Sequence, residues 1–148
     1  MNSIQIAHII INSAFETKVD LNGKPYIDHL KRVASKFTDD PLRIVALLHD
    51  LLEDCPQWTE GALRNLFDSE IVDSIVALTK QKDQTYDSYI EQVKQDAWAV
   101  RVKLEDLKDN MDLSRFTVPI AKDNAMVDRL IKYQNAYTVL LQCQSPLA

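Results

Sequence analysis

Four titratable side chains, His49, Asp50, Glu53 and Asp54, crowd the short run ALLHDLLEDCP inside an otherwise strongly apolar segment. Residues four apart share a helix face, which sets His49 above Glu53 and Asp50 above Asp54. Three acids on two adjacent tracks repel one another, and a divalent cation offsets that repulsion directly. A solvated helix face is the plain alternative. Against it, Leu47, Leu48, Leu51 and Leu52 leave little of the helix free to meet water, and buried carboxylates need partners.

Two other segments offer matching chemistry. GKPYIDHLKRVA sets His29 inside a helix, and VKLEDLKDN sets Lys103, Asp106 and Asn110 on one face, three and four residues apart. Taken singly, His29 reads better as a core histidine with satisfied ring nitrogens, and Asp106 as a surface acid. Taken together with His49 and Asp50 they supply two imidazoles and two carboxylates. Such a mixed nitrogen and oxygen set suits Mn²⁺, Fe²⁺ or Zn²⁺ better than Ca²⁺.

In order and spacing, PYxxH (Pro25–His29), LLHDxxED (Leu47–Asp54) and VKLxDLxxN (Val102–Asn110) resemble the motifs of the HD-domain hydrolases. The likeness is to the RelA/SpoT-type hydrolase domain and its small stand-alone relatives, which remove pyrophosphate from the 3′ position of (p)ppGpp. It spans roughly residues 5 to 115, and TEGALRNLFDSEIVDSIVALTK is similar to the family's segment between the second and third motifs. The resemblance implies a compact all-α HD-domain fold of about seven to eight helices. It implies that His29, His49, Asp50 and Asp106 ligate one metal, usually Mn²⁺, and that Glu53 and Asp54 orient and deprotonate a water. Asn110, with Tyr26, Lys103, Lys18 and Lys24, is then expected to bind a small phosphorylated nucleotide.

The chain also departs from the family. A basic pair usually precedes the PY motif, where this sequence has only Lys18, then VDLN, then Lys24. After Asn110 the text is Met111-Asp112-Leu113, without the expected threonine. Both departures touch substrate recognition and leave the metal set intact. An HD hydrolase of another phosphoester is therefore a second reading, and a non-catalytic HD-like binding module a third. With 148 residues the chain has room for the hydrolase unit alone, so hydrolysis without synthesis is expected.

Composition narrows the field further. Seventeen basic against 22 acidic residues, a net charge of −5, argue against nucleic-acid binding, which needs a basic face. A local basic lining for a small anion is still compatible with that balance. The only glycines, Gly23 and Gly61, cannot build a P-loop or a GxGxxG turn. Cys55 and Cys143 stand far apart, which suits a reducing cytosol better than a disulfide framework. MNSIQIAHIIINSAFE lacks a basic leader and no run approaches ~20 apolar residues, so a cytoplasmic protein without a membrane span is expected.

These residues must be positioned by helices, because the apolar rhythm is three-four almost throughout. One domain over residues 1–148 is expected. The spacing predicts a first helix from about Asn2 to Thr17 and a turn at Asn22-Gly23. A second helix follows Pro25, and a third, capped by Asp40 with Pro41 in its first position, runs through Asp54. Shorter helices follow Thr59 and Asp68 or Ser69, and a last one follows Pro119. The stripe from Tyr86 to Met111 fits either one helix or two meeting near Asp96. Tyr86, Tyr89, Tyr133 and Tyr137 read as core, His8 as a boundary histidine, and Lys80, Lys82, Lys103 and Lys108 as a solvated fringe.

Overall fold

The computed structural model describes residues 1–117, 119–120 and 123–144. Nine α-helices are found among them: α1 (Ser3–Ala14), α2 (Tyr26–Ala34), α3 (Asp40–Leu48), α4 (Leu51–Asp54), α5 (Glu60–Arg64), α6 (Ser69–Ala77), α7 (Tyr86–Lys94), α8 (Ala97–Asn110) and α9 (Asn124–Leu141). No strand occurs in the described residues, and no helix among them is long and apolar enough to cross a membrane.

Local chemistry explains most of the boundaries. Asn2 and Gln5 form a reciprocal capping box on α1, while Thr59, Thr85 and Asp96 accept backbone N–H groups at the starts of α5, α7 and α8. The Asn22-Gly23 turn holds Gly23 at φ +77, a region that favours glycine. Asp20 accepts from the N–H groups of Asn22 and Lys24 there, and a single bridge pairs Val19 with Pro25.

Three boundaries differ from the expected ones. Helix α1 ends at Ala14 rather than Thr17. The cap of α3 is Asp39, so Asp40 and Pro41 lie in the first turn. The expected helix through Asp54 breaks at His49-Asp50, because the His49 ring donates from Nδ1 to the Ala46 carbonyl at 2.6 Å, taking an acceptor in the helix's last turn. Asp50 then sits at φ −100, ψ −1, in the sparsely used bridge region, before α4 resumes. The stripe from Tyr86 resolves into two helices. Asp96 caps α8 and accepts from the Ser74 hydroxyl at 2.8 Å, which ties α6 to the break.

Helix α3 is the centre of the molecule. It packs against α1, α2, α6 and α8, and Leu42, Ile44, Val45, Ala46, Leu47 and Leu48 are all buried. Helix α8 packs on α2, α3, α6, α7 and α9. Thus α2, α3 and α8 meet pairwise, and α2, the C-terminal end of α3 and α8 each bring a polar side chain to the common junction. Truncating a fully buried leucine such as Leu47 or Leu107 to alanine costs about 2–5 kcal/mol in cores of this kind.

Candidate metal centre and its cavity

His29 comes from α2, His49 from the end of α3, and Asp106 from the middle of α8. All three are buried, at 3%, 1% and 4% exposure, and their ligating atoms lie within 4.8 Å of one another. His29 Nε2 is 2.9 Å from Asp106 Oδ1, and His49 Nε2 is 3.2 Å from the same oxygen. Asp50 joins from the α3–α4 break, its Oδ2 3.2 Å from His49 Nε2. The Tyr26 hydroxyl donates to that same Asp50 oxygen.

The outer ring nitrogens settle what the inner ones do. His49 Nδ1 faces the Ala46 carbonyl and His29 Nδ1 faces Asp109 Oδ2, both at 2.6 Å. Each must therefore donate outward, which leaves both Nε2 lone pairs aimed at a carboxylate oxygen. Lone pairs converging on an anion need a cation between or on them. A proton can serve, and so can a transition metal. Histidines whose far nitrogen donates to a carbonyl or carboxylate are the usual form of metal-ligating histidines. The donor set fits a divalent transition metal.

Electrostatics agree. Burial alone would keep Asp106 protonated, but Lys103, whose Nζ lies 2.9 Å from Oδ2, together with both histidines holds it well below the carboxylate range. Burial also opposes the charge on Lys103, and Asp106 reverses that effect and raises it. For His29, burial works against the imidazolium, while Asp106 and Asp109 outweigh it and lift the group to about 9. Burial, with Asp50 and Asp54 nearby, pushes Glu53 up despite the Lys80 N–H held at 3.0 Å by Oε1.

Two cavities open beside this cluster. The outer one, about 430 Å³, is lined by His29, Arg32, Asp109, Arg115, Phe116 and Arg129 among others. The inner one, about 370 Å³, is lined by Asp50, Glu53, Asp54, Lys80, Tyr86, Tyr89, Lys103, Asp106 and Lys132. Lys18, Tyr26, Asn110 and Tyr133 border both, so the two are lobes of one site.

No family model matches the chain. Over 118 residues it is 34% identical to the guanosine-3′,5′-bis(diphosphate) 3′-pyrophosphohydrolase of Haemophilus influenzae, a match covering 70% of this chain and 17% of that protein. The chain thus spans about a sixth of its relative's length. Its fold superposes, with a TM-score of 0.77 and 19% identity, on a structure described as a metazoan ortholog of SpoT that hydrolyzes ppGpp and plays a role in starvation responses. That match covers 95% of this chain and 86% of the other. The chain therefore shares the all-helical HD-domain fold of that structure.

Within this fold most of the expected site residues come together. His29, His49 and Asp106 form the cluster, Asp50 reaches it through His49 at 3.2 Å, and Glu53 and Asp54 border the inner lobe. Asn110 lies on both lobes, its Nδ2 3.4 Å from Asp106 Oδ1. Lys18 pairs with Asp54 at 2.6 Å while its Nζ sits 4.1 Å from the Tyr26 ring centre. Lys24 does not join them. It is exposed on the Gly23 turn and lines neither lobe.

Two other expectations fail. Lys103 is no solvated lysine but is buried against Asp106, because α8 turns it into the junction. Tyr86 and Tyr133 are half-buried cavity walls rather than core, whereas Tyr89 is buried and donates to the Leu78 carbonyl at 2.8 Å. Asp109 is the main residue that sequence reasoning passed over. It clamps His29, takes Arg32 through Nε at 2.9 Å and Nη2 at 3.1 Å, and pairs with Arg115 at 3.2 Å. A signal existed: Asp109 follows Asp106 by three, as Arg32 follows His29. Arg115 and Arg129 carried no such signal, since only the docking of the chain after α8 brings them to the lobe.

Proposed function

We propose that this chain is a metal-dependent phosphohydrolase acting on a small nucleotide with a pyrophosphate on its ribose 3′ oxygen. The first candidate is (p)ppGpp, the metal Mn²⁺, and the setting the cytoplasm. The observation that carries the reading is the convergence of both Nε2 lone pairs on Asp106, with Asp50 beside them, at the base of a two-lobed cavity. The activity of the Haemophilus influenzae relative and of the metazoan SpoT ortholog supports the same class.

His29, His49, Asp50 and Asp106 would hold the metal. When bound it would supply a Lewis acid that acidifies a water and withdraws charge from a phosphate oxygen. Glu53 accepts the water's proton: its raised proton affinity suits that role, and the Lys80 N–H fixes its orientation. Asp54, held by Lys18, flanks it. The water oxygen bonds to the inner phosphorus, the 3′ O–P bond breaks, the ribose oxygen takes a proton, and pyrophosphate departs with the new oxygen. Tyr26 keeps its proton, since burial and Asp50 both raise it, and so braces Asp50 as a donor. In the outer lobe, Phe116 and Tyr133 offer ring faces to a base and Arg129 a cation to the 5′ phosphates.

Base selectivity is expected to be weak. Lys24 lines neither lobe, and Arg32 and Arg115 are committed to Asp109. That keeps a second reading, another phosphorylated nucleotide, in the test. Turnover of ppGpp, ppApp and nucleoside monophosphates is compared under Mn²⁺, Mg²⁺ and Zn²⁺. The first reading expects both 3′-pyrophosphates to be cut under Mn²⁺. It also expects Glu53→Gln and Asp54→Asn to lower turnover by about 10²–10⁴-fold with metal retained. Turnover of monophosphates alone would give the second reading, and metal binding with no turnover a binding module.

A further inference from the structure

The α7–α9 wall of the inner lobe carries groups the chemistry above leaves unused. Tyr86 opens α7, and its hydroxyl is buried with no hydrogen-bond partner among the described residues. A buried hydroxyl left unpaired is destabilising, so its presence asks for a reason. Its surroundings point into the lobe. It lines the inner lobe together with Lys103, Asp106 and Glu53.

Lys132, on α9, is exposed and borders both the inner lobe and, with Tyr86, a second cavity between α7 and α9. Its Nζ lies 4.6 Å from the Tyr86 ring centre and 5.5 Å from that of Tyr133, and no carboxylate among the described residues pairs with it. Desolvation, then Arg129, Lys103 and Lys80, weaken its hold on its proton. Mutually repelling cations around an uncommitted O–H donor are stabilised together by a multiply charged anion. Lys103 is committed to Asp106, which leaves Lys132 and the Tyr86 hydroxyl for that anion. The arginines and Phe116 lie in the other lobe, so this wall suits phosphate rather than nucleoside.

We propose that Tyr86 and Lys132 form a subsite for the outer phosphate of the 3′-pyrophosphoryl group, holding the inner phosphate against the Asp106 cluster. This deepens the phosphohydrolase reading and rests on it. The pair selects pyrophosphorylated over monophosphorylated nucleotides.

The test uses the full chain loaded with Mn²⁺, with inorganic pyrophosphate and inorganic phosphate as calorimetric probes. Tyr86→Phe and Lys132→Met each weaken pyrophosphate binding by about ten-fold or more, the scale of one hydrogen bond to a charged group. Phosphate binding changes less than pyrophosphate binding does. The preference in kcat/KM for a 3′-pyrophosphate over a 3′-monophosphate falls by a similar factor, through KM. Lys132→Arg recovers most of the loss. Without an anion, Tyr86→Phe melts no lower than the wild type, because no protein bond is removed; a purely structural hydroxyl would lower Tm. Unchanged pyrophosphate affinity in both variants overturns the subsite, as does equal loss for phosphate and pyrophosphate, or a wild type that binds no pyrophosphate. A wild type that binds pyrophosphate through Tyr86 and Lys132 yet cleaves no nucleotide leaves the subsite standing and removes the hydrolase reading.

Discussion

The two sides of Asp106 are built to opposite rules. On the α2–α3 side the ring nitrogens are fixed in chains of partners: Arg32 to Asp109 to His29 to Asp106, and Ala46 to His49 to Asp106. On the α7–α9 side the Tyr86 hydroxyl has no partner among the described residues, and Lys132 lies by the rings of Tyr86 and Tyr133 with no carboxylate among those residues paired to it. The first side fixes side chains before anything binds, which suits a cation that must find its ligands in place. The second leaves donors and charge for a ligand that comes and goes. Rigidity and incompleteness sit on either side of one carboxylate.

Asp106→Asn strikes the junction itself and has the largest expected effect. It leaves Lys103 charged, buried and unpaired, a loss of about 3–5 kcal/mol when one member of a buried pair is removed. Metal content and turnover disappear with it. Denaturation beside metal analysis checks this, and a variant of wild-type stability that keeps its metal would show that Asp106 is not the centre of the rigid side.

Asp109→Asn sharpens the comparison by loosening only the outer clamp on His29. Metal affinity is expected to fall by about 10–100-fold, as for other partners of metal-ligating histidines, while Tyr86 and Lys132 still bind pyrophosphate once metal is saturating. Titration with Mn²⁺ reads the first effect and calorimetry the second. Loss of pyrophosphate binding at saturating metal would mean the two sides are not separable.

The last prediction is a pH dependence. In the metal-free protein His29 holds its proton to about 9, against 6.5 in the unfolded chain. Its stabilising contribution is therefore full below about 6.5 and is lost as pH rises through about 9. Asp109, lowered to about 2 by His29 and Arg32 in spite of burial, contributes above about 3.8 and loses that contribution as pH falls through about 2. Melting curves in chelator should decline on the alkaline limb, whereas Mn²⁺-saturated protein should not. The same alkaline slope in both would mean that His29 does not meet the metal.

Much of this was legible in the sequence. The three-four rhythm gave an all-helical chain, and the threonine and aspartate caps placed several helix starts to within a residue. Three short motifs named the side chains that gather at the α2–α3–α8 junction. Periodicity could not show the break at His49-Asp50, since the ring of His49 replaces a backbone bond that a regular helix would keep. Nor could it separate Tyr86 from Tyr89, which fall on one helical stripe yet differ in that one hydroxyl finds the Leu78 carbonyl and the other finds none.

The sequence by itself determined which atoms were available for chemistry and which faces they shared within a helix, because spacing along 3.6 residues per turn is a local property. The tertiary structure alone decided which faces meet. The packing of α2, α3 and α8 aims two imidazoles at one carboxylate and buries Lys103 behind it, and the docking of α9 on α7 and α8 sets Lys132 over Tyr86 and brings Arg129 to the cavity. Apart from the Lys103–Asp106 pair within α8, those contacts join residues some twenty to eighty positions apart, where no periodicity reaches and only the burial of apolar surface fixes the geometry.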